Sequence, residues 1–253
     1  MTYFVSDTWH QIVRHVRNEL RIPIWIVVNL SQPMLWLLLF TQIFKSTFAT
    51  MGVDYLQLFA PAVVVMTVMF GSVWAGMSML EDIQMRVLSK MLATLVSRIS
   101  IIMSRVVGSM VMLVVQALII FLIAVIMGLS IASGIGGVLF TIFLIILLGT
   151  GFSAFSNGLA LIFQRQETLI AVINFISLPV MFLSSAFVPP DFLPRWLQIV
   201  RQGNPVEYAV IGVRSLVNDG WIWADIWKVL LALGIWAIIA ITFGTYMFRK
   251  RAE

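Results

Sequence analysis

Cysteine is absent from the 253 residues, and histidine occurs only twice. The chain therefore has no disulfide, no thiolate metal site and no thiol nucleophile. Charge is also scarce. Asp, Glu, Lys and Arg make up 11% of the residues, less than half the usual quarter or so. Apolar residues reach 61% and the mean hydropathy is +1.03. A soluble globule of this composition would not have enough polar groups to cover its surface. Composition alone therefore places the chain in a membrane.

The long apolar runs lack something of their own. They lie at about 22–44, 55–79, 101–127, 135–163, 168–188 and 227–248, and no Asp, Glu, Lys, Arg or His falls within the interior of any of them, Arg105 and Lys228 standing at run ends. Ion-coupled transporters and voltage sensors keep such residues within the membrane because the coupling ion or field acts on them. Both chemistries are disfavoured here. His10 and His15 precede the first run, which excludes a histidine-based site within the spans. Gly151-Phe-Ser153 is a fragment of a hydrolase-like pattern, but no later histidine could act as its base. Only Glu81 and Asp82 are adjacent carboxylates, too few for metal-assisted phosphotransfer. No Gly-Lys pair occurs, so there is no phosphate-cradling loop. No basic run interleaved with aromatics marks a nucleic-acid surface.

Each apolar run is long enough to cross about 30 Å of hydrocarbon, for which roughly 20 residues suffice. The expected fold is an all-α membrane protein with six transmembrane helices, and residues 1–253 form a single domain. The first run lacks a small-residue cleavage site and reads as a retained helix. Of the Lys and Arg residues between runs, eleven lie on one side and five on the other. The richer side is cytoplasmic by the positive-inside rule, which puts both termini there. The net charge of +5 then faces anionic lipid.

Three segments outside the runs carry patterns. In residues 1–21, Val5, Trp9, Ile12, Val13, Val16 and Leu20 repeat at helical spacing opposite Asp7, Gln11, Arg14, Asn18 and Arg21. This suits an interfacial amphipathic helix, or failing that a solvated helical tail. In residues 80–98, an apolar stripe including Leu88 and Leu92 follows Glu81 and Asp82, placed by this reading at a helix start. Met85, Leu88 and Leu92 could anchor a partner protein, with Arg86 and Lys90 at the rim. Periodicity alone leaves docking and membrane-surface packing equally open. In residues 188–208, Pro189, Pro190, Pro194 and Pro205 cut the chain into short pieces. Phe192, Leu193, Trp196 and Leu197 are too apolar there for an exposed loop, so short re-entrant helices in the outer leaflet are expected.

The polar residues within the runs are uncharged. Asn29, Gln32, Gln42, Gln116, Asn157 and Asn174 are expected to bond helix to helix, with substrate contact as the alternative. The small residues from Gly149 to Gly158 are explained by close helix packing. The 15 Met residues suit adaptable packing.

Together these features resemble the membrane subunits of type-2 ABC transporters, the permeases that include daunorubicin-resistance, polysaccharide-export and nodulation exporters. The resemblance covers nearly the whole chain. Its most specific part is Leu193-Pro194-Arg-Trp196-Leu197-Gln198, Asn204-Pro205-Val-Glu-Tyr208 and Arg214. Residues 81–108 resemble the family's cytoplasmic coupling helix, although Arg86 and Leu95 stand where many members carry Gly and Pro. The resemblance implies a homodimer, or a dimer with a similar subunit, in a prokaryotic plasma membrane. Cytoplasmic ATP-binding subunits would bind ATP and Mg, leaving this chain without a cofactor or catalytic residue. It further implies coupling through Glu81, Asp82, Met85, Arg86, Leu88, Lys90 and Leu92. The cargo would be amphipathic: a drug, a lipid or a lipid-linked glycan. A non-transporting scaffold is the alternative from another class.

Overall fold

The computed structural model describes residues 23–85 and 98–252, and every regular element among them is helical. In chain order these are α1 (Pro23–Ala49), α2 (Tyr55–Val73), α3 (Ala75–Gln84), α4 (Arg98–Ile126), α5 (Gly134–Ile162) and α6 (Gln166–Phe182). Then come a 3-10 turn (Pro190–Phe192), α7 (Arg195–Val200), a second 3-10 turn (Arg201–Gly203), α8 (Pro205–Asn218) and α9 (Trp223–Ala252). Each of the six apolar runs contains a helix. By length and composition, four segments are apolar enough to cross a membrane: Val27–Ala49, Tyr55–Glu81, Gly134–Ile162 and Trp223–Lys250. Met110–Ile126 and Gln166–Phe182 are shorter apolar helical stretches.

The bundle is organised around α2. Phe59, Val63, Met66 and Met69 are buried on successive turns, and the helix packs against α1, α4, α5 and α8. An apolar helix buried nearly all round belongs at the centre of a bundle. Pro61 deprives the Gln57 carbonyl of its usual helical donor, and the Asn218 amide of α8 supplies one at 3.4 Å. By contrast α1 leaves Val27, Leu35, Leu39 and Ile43 exposed. Its apolar surface therefore faces whatever surrounds the bundle.

The most extensive packing is between α5 and α9. A side-chain carbon added at Gly151 would meet Trp236 at 2.3 Å, and one at Gly158 would meet Phe243 at 2.6 Å. On the other helix, Gly244 approaches so closely that an added carbon would stand 2.8 Å from the Ala154 carbonyl. The small face of the fourth run is thus filled by two aromatic rings and a glycine, as close packing requires.

The second run is one spanning segment, Tyr55–Glu81, divided by a one-residue turn at Trp74, while the fifth departs from expectation. The Trp74 N–H turns to the Gly71 carbonyl at 3.2 Å, a three-residue closure that tightens the helix before α3 begins. The fifth, expected over 168–188, ends as α6 at Phe182. At 17 residues this helix is about 26 Å long. At its end Asn204, just before α8, donates to the carbonyls of Val180 and Leu183.

Candidate functional site

The segment from Pro189 to Arg214 folds as short helices whose boundaries follow its prolines. Pro190 opens the first 3-10 turn, Pro194 precedes α7, and Pro205 is the first residue of α8. At each place the ring supplies the required φ and the missing N–H would have had no helical partner. The Gln198 amide closes the first two pieces by donating to the Leu193 carbonyl at 2.8 Å and the Pro190 carbonyl at 3.3 Å. Asn204 caps α8 by accepting from the Val206 N–H at 2.9 Å. Because its amide nitrogen also caps α6, one side chain joins two helix ends. Tyr208 donates to the Gln202 carbonyl at 2.9 Å.

Beneath these turns lies a buried ionic network. Glu207 is 2% exposed. Its carboxylate accepts from the Ser185 N–H at 2.6 Å and the Ser185 hydroxyl at 2.9 Å, and pairs with the Arg201 guanidinium. Arg214 donates to the Ser185 carbonyl at 3.0 Å and the Leu58 carbonyl at 3.1 Å. Ser185 is therefore held at its N–H, its hydroxyl and its carbonyl. The network ties the chain after α6 to α8, and through Leu58 to α2. Beside it, the Phe187 ring packs against Trp36, Phe40, Phe59 and Phe182 at centroid distances of 5.8, 5.9, 5.6 and 5.3 Å. Trp196 and Ile199 remain exposed on the outside of α7.

Near the other end of α2, the interruption at Trp74 is bridged by α5. The Ser156 hydroxyl donates to the Val73 carbonyl and accepts from the Gly76 N–H at 3.2 Å. Space is tight, since a side-chain carbon at Gly76 would stand 2.3 Å from that hydroxyl and 2.6 Å from the Ser156 carbonyl. Leu80 is fully buried, whereas Glu81 and Met85 are exposed. Ile83, one turn on, is still half-buried against the core.

This corrects the placement of the acidic pair. Glu81 and Asp82 lie in the last turn of α3 and not at a helix start, because the helix begins at Ala75 directly after the interruption. Arg86, Leu88, Lys90 and Leu92 lie outside the described residues, as does the amphipathic segment 1–21. Of the coupling residues, the structure places Glu81 and Met85 on the surface and Asp82 in the same turn.

The outer motif residues Pro189, Pro190, Pro194, Asn204, Pro205, Tyr208 and Arg214 are brought into one unit, with Trp196 on its exterior. Sequence reasoning did not single out Glu207, Arg201 or Ser185. A usable signal existed, since Glu207 is the sole acidic residue between Asp191 and Asp219. The amides in the apolar runs also behave differently from expectation. Asn29, Gln32, Gln42 and Asn174 are exposed, and the buried Asn157 oxygen has no partner among the described residues. Among the described residues no group of three or more His, Cys, Asp or Glu could hold a metal ion.

A bundle of apolar helices, four of them long enough to span a bilayer, closed at one end by short proline-bounded helices, is the architecture of an integral membrane protein. The sequence model of the ABC-2 type transporter family matches residues 7–217, and the chain belongs to that family. It is 32% identical over 228 residues to ycf38 of Cyanophora paradoxa, named as a transport permease, covering 88% of this chain and 78% of that protein. It is 24% identical over 245 residues to the daunorubicin resistance ABC transporter permease protein DrrB1 of Streptomyces coeruleorubidus, covering 97% and 86%.

Proposed function

We propose that the chain is the membrane-spanning subunit of an ATP-driven exporter for an amphipathic cargo, working as a dimer in a prokaryotic plasma membrane. Six helices, α1, α2 with α3, α4, α5, α6 and α9, cross the bilayer with both termini cytoplasmic, and the turns between Pro189 and Asn204 re-enter the outer leaflet. A separate cytoplasmic subunit binds ATP and Mg, and this chain contributes no catalytic group. The ATPase seats on the segment from Glu81 through Leu92, with Met85, Leu88 and Leu92 as anchors and Arg86 and Lys90 at the rim.

The observation that carries this reading is the Ser156 bridge. A push on the segment after Met85 reaches α3. From there it passes to the central helix through the Val73 carbonyl and to α5 through the Gly76 N–H. The spans can then shift as packed bodies, with no intramembrane charge required.

Leu88→Ala, compared with Lys90→Ala, tests the docking in a complex reconstituted in proteoliposomes. Truncating a buried anchor costs about 2 kcal/mol or more, roughly thirtyfold in affinity, whereas rim charges contribute little. Leu88→Ala should release the ATPase on co-purification or abolish coupled transport, and Lys90→Ala should leave both near normal. Full coupling in Leu88→Ala, together with loss on substitution near Arg165, would move the docking site to the α5–α6 turn. ATP hydrolysis by the purified chain free of any partner would overturn the assignment of roles.

A further inference from the structure

Between α1, α2 and α4 lies a cleft of about 210 Å3. Asn29, Gln32 and Trp36 of α1 form one side, Met66 and Phe70 of α2 the floor, and Gln116 of α4 the far wall. Trp36 and Phe70 meet edge to face, with centroids 6.4 Å apart. Gly71 allows α4 to lie close, since a side-chain carbon there would fall 2.1 Å from Leu113 and 3.7 Å from the Gln116 amide oxygen.

Gln116 is 6% exposed, yet among the described residues its amide has no hydrogen-bond partner, although it lines the cleft. Its amide atoms are not among the fully buried unpaired groups, and they stay open to the cleft, where a bound polar head can pair with them. Pro33 adds an acceptor, because without an N–H it leaves the Asn29 carbonyl lacking its usual helical donor. Among the described residues the lining holds no ionisable side chain. The cleft therefore offers amide donors and acceptors together with a backbone acceptor, between aromatic and thioether walls.

We propose that this cleft binds the uncharged, hydroxyl-bearing head of a single-chain amphipath and is where cargo enters the permease from the bilayer. This rests on the export reading above, on whose topology the cleft lies in the cytoplasmic half of α2. The volume is below the roughly 300–1,000 Å3 of sites for drug-sized ligands, so it takes a head and not a whole amphipath. The chain of the ligand lies outside, along the exposed stripe of Val28, Leu35 and Leu39, on which Gln32 also sits at helical spacing. A fixed charge on the head would be desolvated without a counter-ion and is rejected.

Photo-crosslinking of the permease–ATPase complex in phosphatidylcholine proteoliposomes tests the site. Three probes share one diazirine-bearing acyl or alkyl chain and end in a glycerol ester, a carboxylate or a trimethylammonium group. The glycerol probe should label peptides spanning 28–36 and 63–74 at least fivefold above the charged probes, and excess unlabelled monoacylglycerol should displace it. Gln116→Leu should abolish that preference, and Gln32→Leu, on an exposed position, should weaken it with unfolding temperature unchanged. Equal labelling by all three heads, or labelling spread evenly over α9, would overturn the proposal by reducing the contact to bulk lipid. ATP-dependent movement of a fluorescent monoacylglycerol between leaflets separates cargo from resident lipid. Cleft labelling without such movement would remove the entry role. Transport of other amphipaths with no labelling at the cleft would overturn this site and leave the export reading standing. Absence of any ATP-driven transport would overturn the export reading while the labelling still reported on the site.

Discussion

The two ends of α2 are tied to the rest of the bundle in contrasting ways. At the Tyr55 end, Arg214 reaches the Leu58 carbonyl as part of a network of charged and hydroxyl groups that includes Glu207, Arg201 and Ser185. At the Trp74 end, the Ser156 hydroxyl spans the interruption with neutral bonds. Charge-assisted bonds are roughly twice as strong as neutral ones, and several of them over-determine a geometry. The first end is thus held by stronger polar ties than the second, and the exposed end of α3 belongs to the second.

Substitutions should separate stability from coupling at the two ends. The largest effect on stability is expected from Glu207→Ala, which leaves the Arg201 charge and the Ser185 donors uncompensated. Breaking such a pair costs about 3–5 kcal/mol, so thermal unfolding of the purified complex in detergent should shift strongly downward. A variant with near-native unfolding would show that the network is not what holds the proline-bounded turns.

Gly76→Val comes next, since its branched side chain enters space held by the Ser156 hydroxyl and carbonyl. Overpacking of this kind costs about 1–3 kcal/mol. Transport per ATP hydrolysed should fall further than stability does. If unfolding and coupling fell in proportion, the contrast between the two ends would be lost.

Ser156→Ala removes the bridge without adding bulk. It strands the Val73 carbonyl and the Gly76 N–H, at about 1–3 kcal/mol for the pair. ATPase activity should become less responsive to cargo while co-purification of the ATPase is retained. The smallest effect should come from Trp196→Ala, on the exposed side of α7. Unfolding in detergent should change by no more than about 0.5 kcal/mol, and any defect should appear only after reconstitution in lipid.

Much of the fold was legible because its signals are local. Long apolar runs became helices, and Pro190, Pro194 and Pro205 marked helix starts since a proline acts on its own residue and the one before it. The small residues from Gly149 to Gly158 announced a close packing face, later filled by Trp236 and Phe243. Other features were not legible. Trp74 carries no helix-breaking chemistry, and the interruption there depends on a hydroxyl 82 positions later. The early end of α6 is met by Asn204, whose amide binds its last carbonyls from more than twenty residues away. Glu81 and Asp82 look like a helix start by charge, but the helix that holds them begins where α5 fixes it.

By itself the sequence determined that this is an all-helical membrane protein whose apolar runs carry charge only at their ends, and roughly where its apolar helices run. Hydropathy and proline geometry are properties of neighbouring residues and need no partner to act. Only the tertiary structure decided that Glu207 and Arg214 are buried around Ser185, that Ser156 bridges α2 and α3, and that the Gln116 amide faces a cleft. Each of these pairs groups brought together by helix packing, and whether a polar group is satisfied or stranded is settled by what the packing places beside it.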